Sequence, residues 1–306
     1  MKGDKKPVAF IEDCAVTLDH LAEYTTKLKE IFKKYDTSGM FYAHASVGTL
    51  HVRPVLNMKS DKDINNMKKI AEEAFEMVKQ YKGSHSGEHG DGIVRSEFHE
   101  KMFGKKIINA FEDVKDTFDH KNLLNPNKIV RPYKSNDRSL MRYKADYKTE
   151  KISTHYDWSE WGQFSDAVEM CNNNGACRKL DSGVMCPSYR VTKEEKDLVR
   201  GRANTLRLAL SNQLPKGSFV SKEMYESMEL CVSCKACQRE CPMSVDIAKM
   251  KSEFLSHYYK KFNMSIKDKI ICSMPKNIRF LKIIAPIFNK IKNFPIIESI
   301  INWYGF

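Results

Sequence analysis

The sequence predicts an α+β unit, an antiparallel sheet with helices on one face, followed by a helical segment organised around cysteines. Three observations predict it. Apolar periodicity reads strand, helix, strand, strand, helix through residues 8–81; a polar, aperiodic stretch occupies residues 134–158; and seven of the nine cysteines fall between Cys171 and Cys241.

The elements follow in order. Residues 8–14 form a short apolar run that reads as a strand. Leu18, Leu21, Leu28, Phe32 and Tyr35 then recur on one helical face. Residues 40–44 and 50–56 flank a loop containing Gly48 and predict a hairpin. Ser60 with Asp63 resembles a capping box, opening a helix whose apolar stripe is Ile64, Met67, Ala71, Ala74, Val78 and Tyr81. Residues 96–118 predict a further helix, and the first domain is expected to span 1–133. After a linker at 134–158, an α-helical domain is expected over 159–258, with helix formers concentrated at 193–212. Pro275, Pro286 and Pro295 are expected to chop a basic tail, 259–306, into short amphipathic pieces. No run nears the roughly 20 apolar residues of a membrane span.

A chain of 306 residues with 42% hydrophobic content accommodates two soluble domains of ordinary size. The net charge of +12 is uneven, since residues 257–306 hold nine Lys/Arg against Asp268 and Glu298. Such a surplus attracts nucleic acid or anionic lipid. No zinc-finger, helix-turn-helix or RNA-binding signature accompanies it, so a solvated surface is the reading and no nucleic-acid partner is expected. Met1 is followed by charged residues rather than an apolar leader. A cytoplasmic location is therefore expected, at most peripheral to the inner face of the membrane through the tail.

Cys231, Cys234, Cys237 and Cys241, with Pro242 directly after, form the run C-x2-C-x2-C-x3-C-P. Soft thiolates at this spacing wrap an iron–sulfur cluster, and in two-cluster proteins the fourth cysteine of such a run ligates the other cluster. The upstream set is Cys171, Cys177 and Cys186, the last followed by Pro187. By the crossing rule Cys186 completes a 4Fe-4S cluster with Cys231, Cys234 and Cys237, leaving Cys171, Cys177 and Cys241 for a second. That second set is one thiolate short. A three-iron cluster, a four-iron cluster with a non-cysteine ligand, or no cluster all remain open there. Zinc prefers separated cysteine pairs, and disulfides do not suit a chain with no signal peptide. Cys14 and Cys272 stand alone and read as buried apolar residues.

A second constellation lies upstream: His44 and His51 on either side of the hairpin loop, then Gly87-Glu88-His89-Gly90. Two imidazoles and the Glu88 carboxylate can converge on one metal with coordination positions left open. A metal so held would bind the hydroxyl and carboxylate oxygens of a substrate, and His89 is the candidate base. His85, His99 and His120 have no such setting.

These residues carry a resemblance. His44-x6-His51, the Gly87 to Gly90 motif and Asn125-Pro126-Asn127-Lys128 resemble the C-terminal substrate domain of FAD-linked oxidases, the family of D-lactate, D-2-hydroxyglutarate and glycolate dehydrogenases. The cysteine segment, with Arg200-Gly201-Arg202-Ala203-Asn204, resembles the ferredoxin segment of the large bacterial fusions. The resemblance implies a divalent metal, usually zinc, on His44, His51 and Glu88, and His89 as base near the flavin. It implies oxidation of a D-2-hydroxy acid, with electrons passing from FAD to iron–sulfur clusters and on to a quinone or partner domain. Two departures stand out. Arg53 replaces a substrate-contacting asparagine, and its guanidinium suits a second anionic group on the substrate. The family's flavin-binding domain is not in this sequence, so a flavin-binding domain or subunit is an expected partner and the chain alone is expected to be inactive. The alternative reading is an iron–sulfur electron-transfer subunit docking on a separate flavoprotein.

Overall fold

The computed structural model describes residues 2–303; Met1 and residues 304–306, the ends of the expected first domain and tail, lie outside the described residues. The chain divides into two units, one of residues 1–149 with 159–166, the other of residues 150–158 with 167–306. The expected linker at 134–158 is thus shared between them, 134–149 with the first and 150–158 with the second.

The first unit is an antiparallel sheet backed by helices, as expected. Its strands are β1 (Lys5–Pro7), β2 (Cys14–Ala15), β3 (Gly39–His44) and β4 (Thr49–Asn57). All three others pair with β4: β3 along one edge, β1 and β2 in turn along the other. Residues 8–14 are therefore not one strand. The ladder breaks where Asp13 turns to φ 81°, and the freed segment carries Glu12 and Asp13.

Period two on β4 separates two faces. Leu50, Val52 and Leu56 enter the core with Tyr24, Leu28 and Phe32 of α1 (Leu18–Lys34) and Ile70, Ala74, Phe75 and Val78 of α2 (Asp61–Gln80). Each such side chain contributes about 1.5–3 kcal/mol by leaving water. His51 and Arg53 alternate with them, placing both on the opposite face. Ser60 caps α2 by accepting from the Asp63 N–H at 3.4 Å, while Asp63 reaches back to the Asn57 N–H at 2.8 Å. The hairpin needs Gly48: its φ is 71°, and a Cβ there would sit 1.8 Å from the Val16 carbonyl oxygen.

The helix expected over 96–118 is three pieces, α3 (Gly92–Ser96), α4 (His99–Phe103) and α5 (Lys105–Phe118). Gly104 at φ 81° ends the second piece, a conformation that cannot continue a helix. A short helix, α6 (Phe164–Val168), follows.

The second unit is helical: α7 (Pro187–Thr192), α8 (Val199–Leu210), α9 (Lys222–Glu229), α10 (Ala236–Glu240) and α11 (Ile247–Lys261). Glu253 of α11 is fully buried and anchors the incoming strap, accepting from His155 N–H at 2.9 Å, Tyr156 N–H at 3.0 Å and Trp158 Nε1 at 3.0 Å. Burial alone would raise its pKa; those three donors outweigh it and hold the carboxyl below the ordinary range. The tail corrects an expectation. Pro275 and Pro286 lie inside one helix, α12 (Ile266–Ile291), and Pro295 opens α13 (Pro295–Trp303). A proline interrupts the hydrogen-bond ladder locally and can bend a helix without ending it, and at the first turn it costs nothing. Cys272 lies in α12 and is exposed, not buried, because that helix buries no residue. Among the described residues no helix is long and apolar enough to cross a membrane.

Candidate functional site

In the first unit the sheet face opposite the helices gathers the expected metal ligands. Glu88 Oε1 lies 3.1 Å from His44 Nε2 and 3.1 Å from His51 Nε2. His51 is buried, while His44 and Glu88 are about half exposed, so the group opens outward. The register explains the convergence: His44 ends β3, and the loop returns the chain to His51 two residues into β4, opposite Tyr42. Tyr42 stacks on the His51 ring at 4.8 Å, and His89 stacks on it at 4.8 Å. His89 Nε2 is 3.7 Å from Glu88 Oε1 and its Nδ1 3.9 Å from Glu12 Oε1. Donor atoms of Asp13, His51, Glu88 and His89 all lie within 4.8 Å of one another, with His44 joined to them through Glu88. Two imidazoles and a carboxylate converging from an open side are a donor set that could hold a metal ion.

Glu12 and Asp13 build this site and were missed in the sequence. Asp13 is fully buried and holds the Glu88 loop by its backbone: Oδ2 accepts from Gly87 N–H at 2.7 Å, Glu88 N–H at 2.9 Å and His89 N–H at 2.9 Å. Burial would raise its pKa, but the donors from His89, Glu88 and Gly87 together hold the carboxyl below the ordinary value. Asp13 is thereby a clamp on the loop. Buried Arg95 joins the same loop to the strand side, its guanidinium donating to the carbonyls of Gly90 and Glu12. No sequence signal links residue 13 to residues 87–89; the pairing exists only once the sheet has formed.

Arg53 differs from its expected setting. Its Nε donates to Glu12 Oε2 at 2.6 Å and its Nη2 to Glu12 Oε1 at 2.9 Å and to the Tyr42 hydroxyl at 2.8 Å. The two-pronged edge is thus already engaged, because Glu12 is buried beneath it. The Arg53 hydrogen bond, against burial and with help from the Tyr42 hydroxyl, holds the Glu12 carboxyl below its usual range. His85 and His99 were read as having no setting, yet they have one: both are buried, and both approach Asp91. Burial pushes the His85 imidazole down to about 4.

In the second unit the cysteines meet across the fold. Cys186, Cys231, Cys234 and Cys237 line one small cavity, with Pro187, Val199, Ile247 and Ala248 also in its wall. Cys186 sits at φ 53°, immediately before Pro187 opens α7, and accepts from the Val199 N–H at 3.3 Å. Backbone groups of Ile247 and Ala248 hydrogen-bond to Cys237. Burial pushes the Cys186 thiol up to about 12, so a ligand must displace that proton, as an iron ion does. Four sulfurs in one nest with N–H donors aimed at them fit a cubane cluster. Cys171 and Cys177 are buried on either side of an asparagine loop, in which Asn173 Oδ1 accepts from Asn204 Nδ2 at 2.7 Å and lies 3.7 Å from Cys171 Sγ. Cys241 follows α10, half-buried.

Residues 1–129 match the family described as FAD linked oxidases, C-terminal domain, and residues 167–245 match the 4Fe-4S dicluster domain. The chain is 29% identical over 334 aligned positions to the D-2-hydroxyglutarate dehydrogenase of Escherichia coli, covering 98% of this chain and 32% of that protein. Identity to the D-2-hydroxyglutarate dehydrogenase of Pseudomonas putida is 30% over 323 positions, 95% of this chain and 32% of that protein. The D-lactate dehydrogenase of Archaeoglobus fulgidus is 30% identical over 130 positions, 42% of this chain and 28% of that protein. The chain spans about a third of the length of the D-2-hydroxyglutarate dehydrogenases it matches. The histidine and glutamate face falls in the first family match and all seven clustered cysteines in the second, so residues 1–129 are similar to an FAD-linked oxidase C-terminal domain and residues 167–245 to a 4Fe-4S dicluster domain.

Proposed function

We propose that this chain forms part of a flavin-dependent D-2-hydroxy acid dehydrogenase of the D-lactate or D-2-hydroxyglutarate type. The observation that carries the reading is the convergence of His44 and His51 on Glu88, beside His89, on an open sheet face. When bound, a divalent metal would supply polarisation of the substrate hydroxyl, a flavin would supply a hydride acceptor, and iron–sulfur clusters would supply one-electron carriers. His44, His51 and Glu88 hold that metal, zinc being the choice that two imidazoles and a carboxylate favour. His89 receives the hydroxyl proton, and the buried carboxylate of Glu12, 3.9 Å from its Nδ1, steadies the imidazolium that results. Arg53 and Tyr42 border the face. The Arg53 Nη1, which has no hydrogen-bond partner among the described residues, is the prong left for a second carboxylate on the substrate. Cys186, Cys231, Cys234 and Cys237 hold one cluster, and Cys171, Cys177 and Cys241 serve a second. The flavin is supplied by a further domain or subunit, and a quinone or partner domain takes the electrons.

Metal analysis of anaerobically purified chain tests the reading. Iron and zinc are expected together, and a His44→Ala/His51→Ala variant should keep iron while losing the zinc of this face; iron without zinc rejects the metal site. In complex with the flavoprotein partner, His89→Ala should stop flavin reduction by D-2-hydroxyglutarate or D-lactate with zinc retained. Normal reduction rejects His89 as base.

A further inference from the structure

On the far side of the loop that carries Glu88 and His89 lies a second cluster of donors, independent of the first. His85 Nε2 is 3.7 Å from Asp91 Oδ1, and His99 Nε2 is 3.1 Å from Asp91 Oδ2; one donor atom from each of the three residues lies within 4.8 Å of the other two. His85 and His99 are 1% and 2% exposed. Phe75 and Phe103 pack against the His85 ring, and Phe103 against His99 as well.

The hydrogen bonding is incomplete. Neither ring nitrogen of His85 has a partner among the described residues, nor do His99 Nε2 and Asp91 Oδ1, despite the short approaches. A buried polar atom left unpaired is destabilising, and native folds avoid such a cluster unless a water or ion occupies it. The other nitrogen of His99 lies 3.3 Å from the Ile129 carbonyl, and the Ile129 N–H donates to Ser96 Oγ at 3.1 Å. In the neutral ring, donation from Nδ1 to that carbonyl leaves a bare Nε2 lone pair facing the Asp91 carboxylate. Two electron-rich groups so opposed are reconciled by a cation, and a carbonyl behind a ligating imidazole is how proteins fix its orientation.

We propose that His85, Asp91 and His99 bind a second divalent cation, of the zinc class, which fastens the loop of residues 87–91 from the side away from the substrate face. The N,N,O donor set suits zinc rather than magnesium or calcium, which take oxygen. Asp91, with 23% of its side chain exposed, gives the ion its route in and leaves a coordination position for solvent. Five residues would then be held between two metals, with the Asp13 clamp between them.

The test counts zinc on the full, cluster-loaded chain after dialysis against zinc and then against metal-free buffer. Zinc K-edge absorption separates nitrogen and oxygen ligation from zinc on stray thiolates. Wild type should hold two zinc ions in N/O sites, and His85→Leu/His99→Leu, apolar replacements that suit the phenylalanine surroundings, should hold one. Asp91→Asn keeps both imidazoles and should weaken the same ion at least tenfold in chelator competition, so a variant that fails to fold does not end the test. If His44→Ala/His51→Ala removes all N/O zinc, the second site is overturned while the first stands. If that variant changes nothing and His85→Leu/His99→Leu lowers the count, the second site stands and the proposed substrate metal falls. A zinc count that neither His85→Leu/His99→Leu nor Asp91→Asn lowers overturns this proposal.

Discussion

Asp13→Asn isolates the clamp that positions Glu88 and His89. Asparagine tolerates the left-handed φ of 81° at this position, so the backbone stays put and only the carboxylate chemistry changes. In the better orientation the amide oxygen takes the place of Oδ2 and keeps all three N–H donors, but as neutral hydrogen bonds. The amide NH2 then meets the Glu88 N–H, where Oδ1 accepted at 3.0 Å. A bond to a charged group is worth about 1.5–3 kcal/mol and a neutral one about 0.5–1.5. Three such exchanges amount to about 3 kcal/mol, reduced to about 2–3 because water can reach the exposed loop. Charged to the loop, this weakens zinc binding on the substrate face about 30- to 150-fold. Chelator competition reads that loss, and amide exchange at Gly87, Glu88 and His89 should accelerate alongside it. The folded pKa of Asp13 lies below the ordinary 3.8. Its contribution is therefore present above that value and lost as pH falls through the lower folded one, so wild type and Asp13→Asn should converge in stability in acid. Unchanged zinc affinity and unchanged exchange would refute the clamp.

Other perturbations follow from the same geometry. Cys186→Ser should remove as much iron and visible absorbance as Cys234→Ser, although 45 residues separate Cys186 from the run beginning at Cys231; unequal losses would place them on different clusters. Gly48→Ala combines a left-handed φ of 71° with a Cβ 1.8 Å from the Val16 oxygen, and should destabilise the first unit by about 2–4 kcal/mol in urea. Glu253→Gln turns an NH2 toward one of three buried donors and should cost about 2–3 kcal/mol near neutral pH. Because the Glu253 pKa is lowered, that deficit should shrink as pH falls below the ordinary glutamate value of 4.5; a constant deficit would contradict its ionised state.

The sequence made the sheet, α1 and α2 legible because their faces repeat at periods that one stripe of side chains reveals. Period two also contained Tyr42, two residues before His44 on the same face, though no chemistry flagged it. The break at Asp13 was invisible, since an apolar run from Val8 to Ile11 has strand composition whether or not the ladder continues. His44, His51 and Glu88 could be picked out as a constellation because a hairpin brings its two flanks together. Glu12, Asp13 and Arg95 could not, since the contacts that draw them into the site join residues 30 to 83 positions apart and answer to no spacing rule. The same limit hid His85 and His99, whose common neighbour Asp91 sits in a motif already assigned to the opposite side of its loop. Pro275 and Pro286 misled for a different reason: composition records a missing donor but not whether the surrounding helix absorbs it.

The sulfur nest of the second unit draws its wall from residues as far apart in the sequence as Cys186 and Ala248. A growing polypeptide emerging from the ribosome presents one of the four thiols early and the remaining three only after more than forty further residues. A cluster can therefore load here only after Cys237 has been made and folded back onto Cys186, and a chain cut short before Cys231 would keep a single, oxidation-prone thiol of the set.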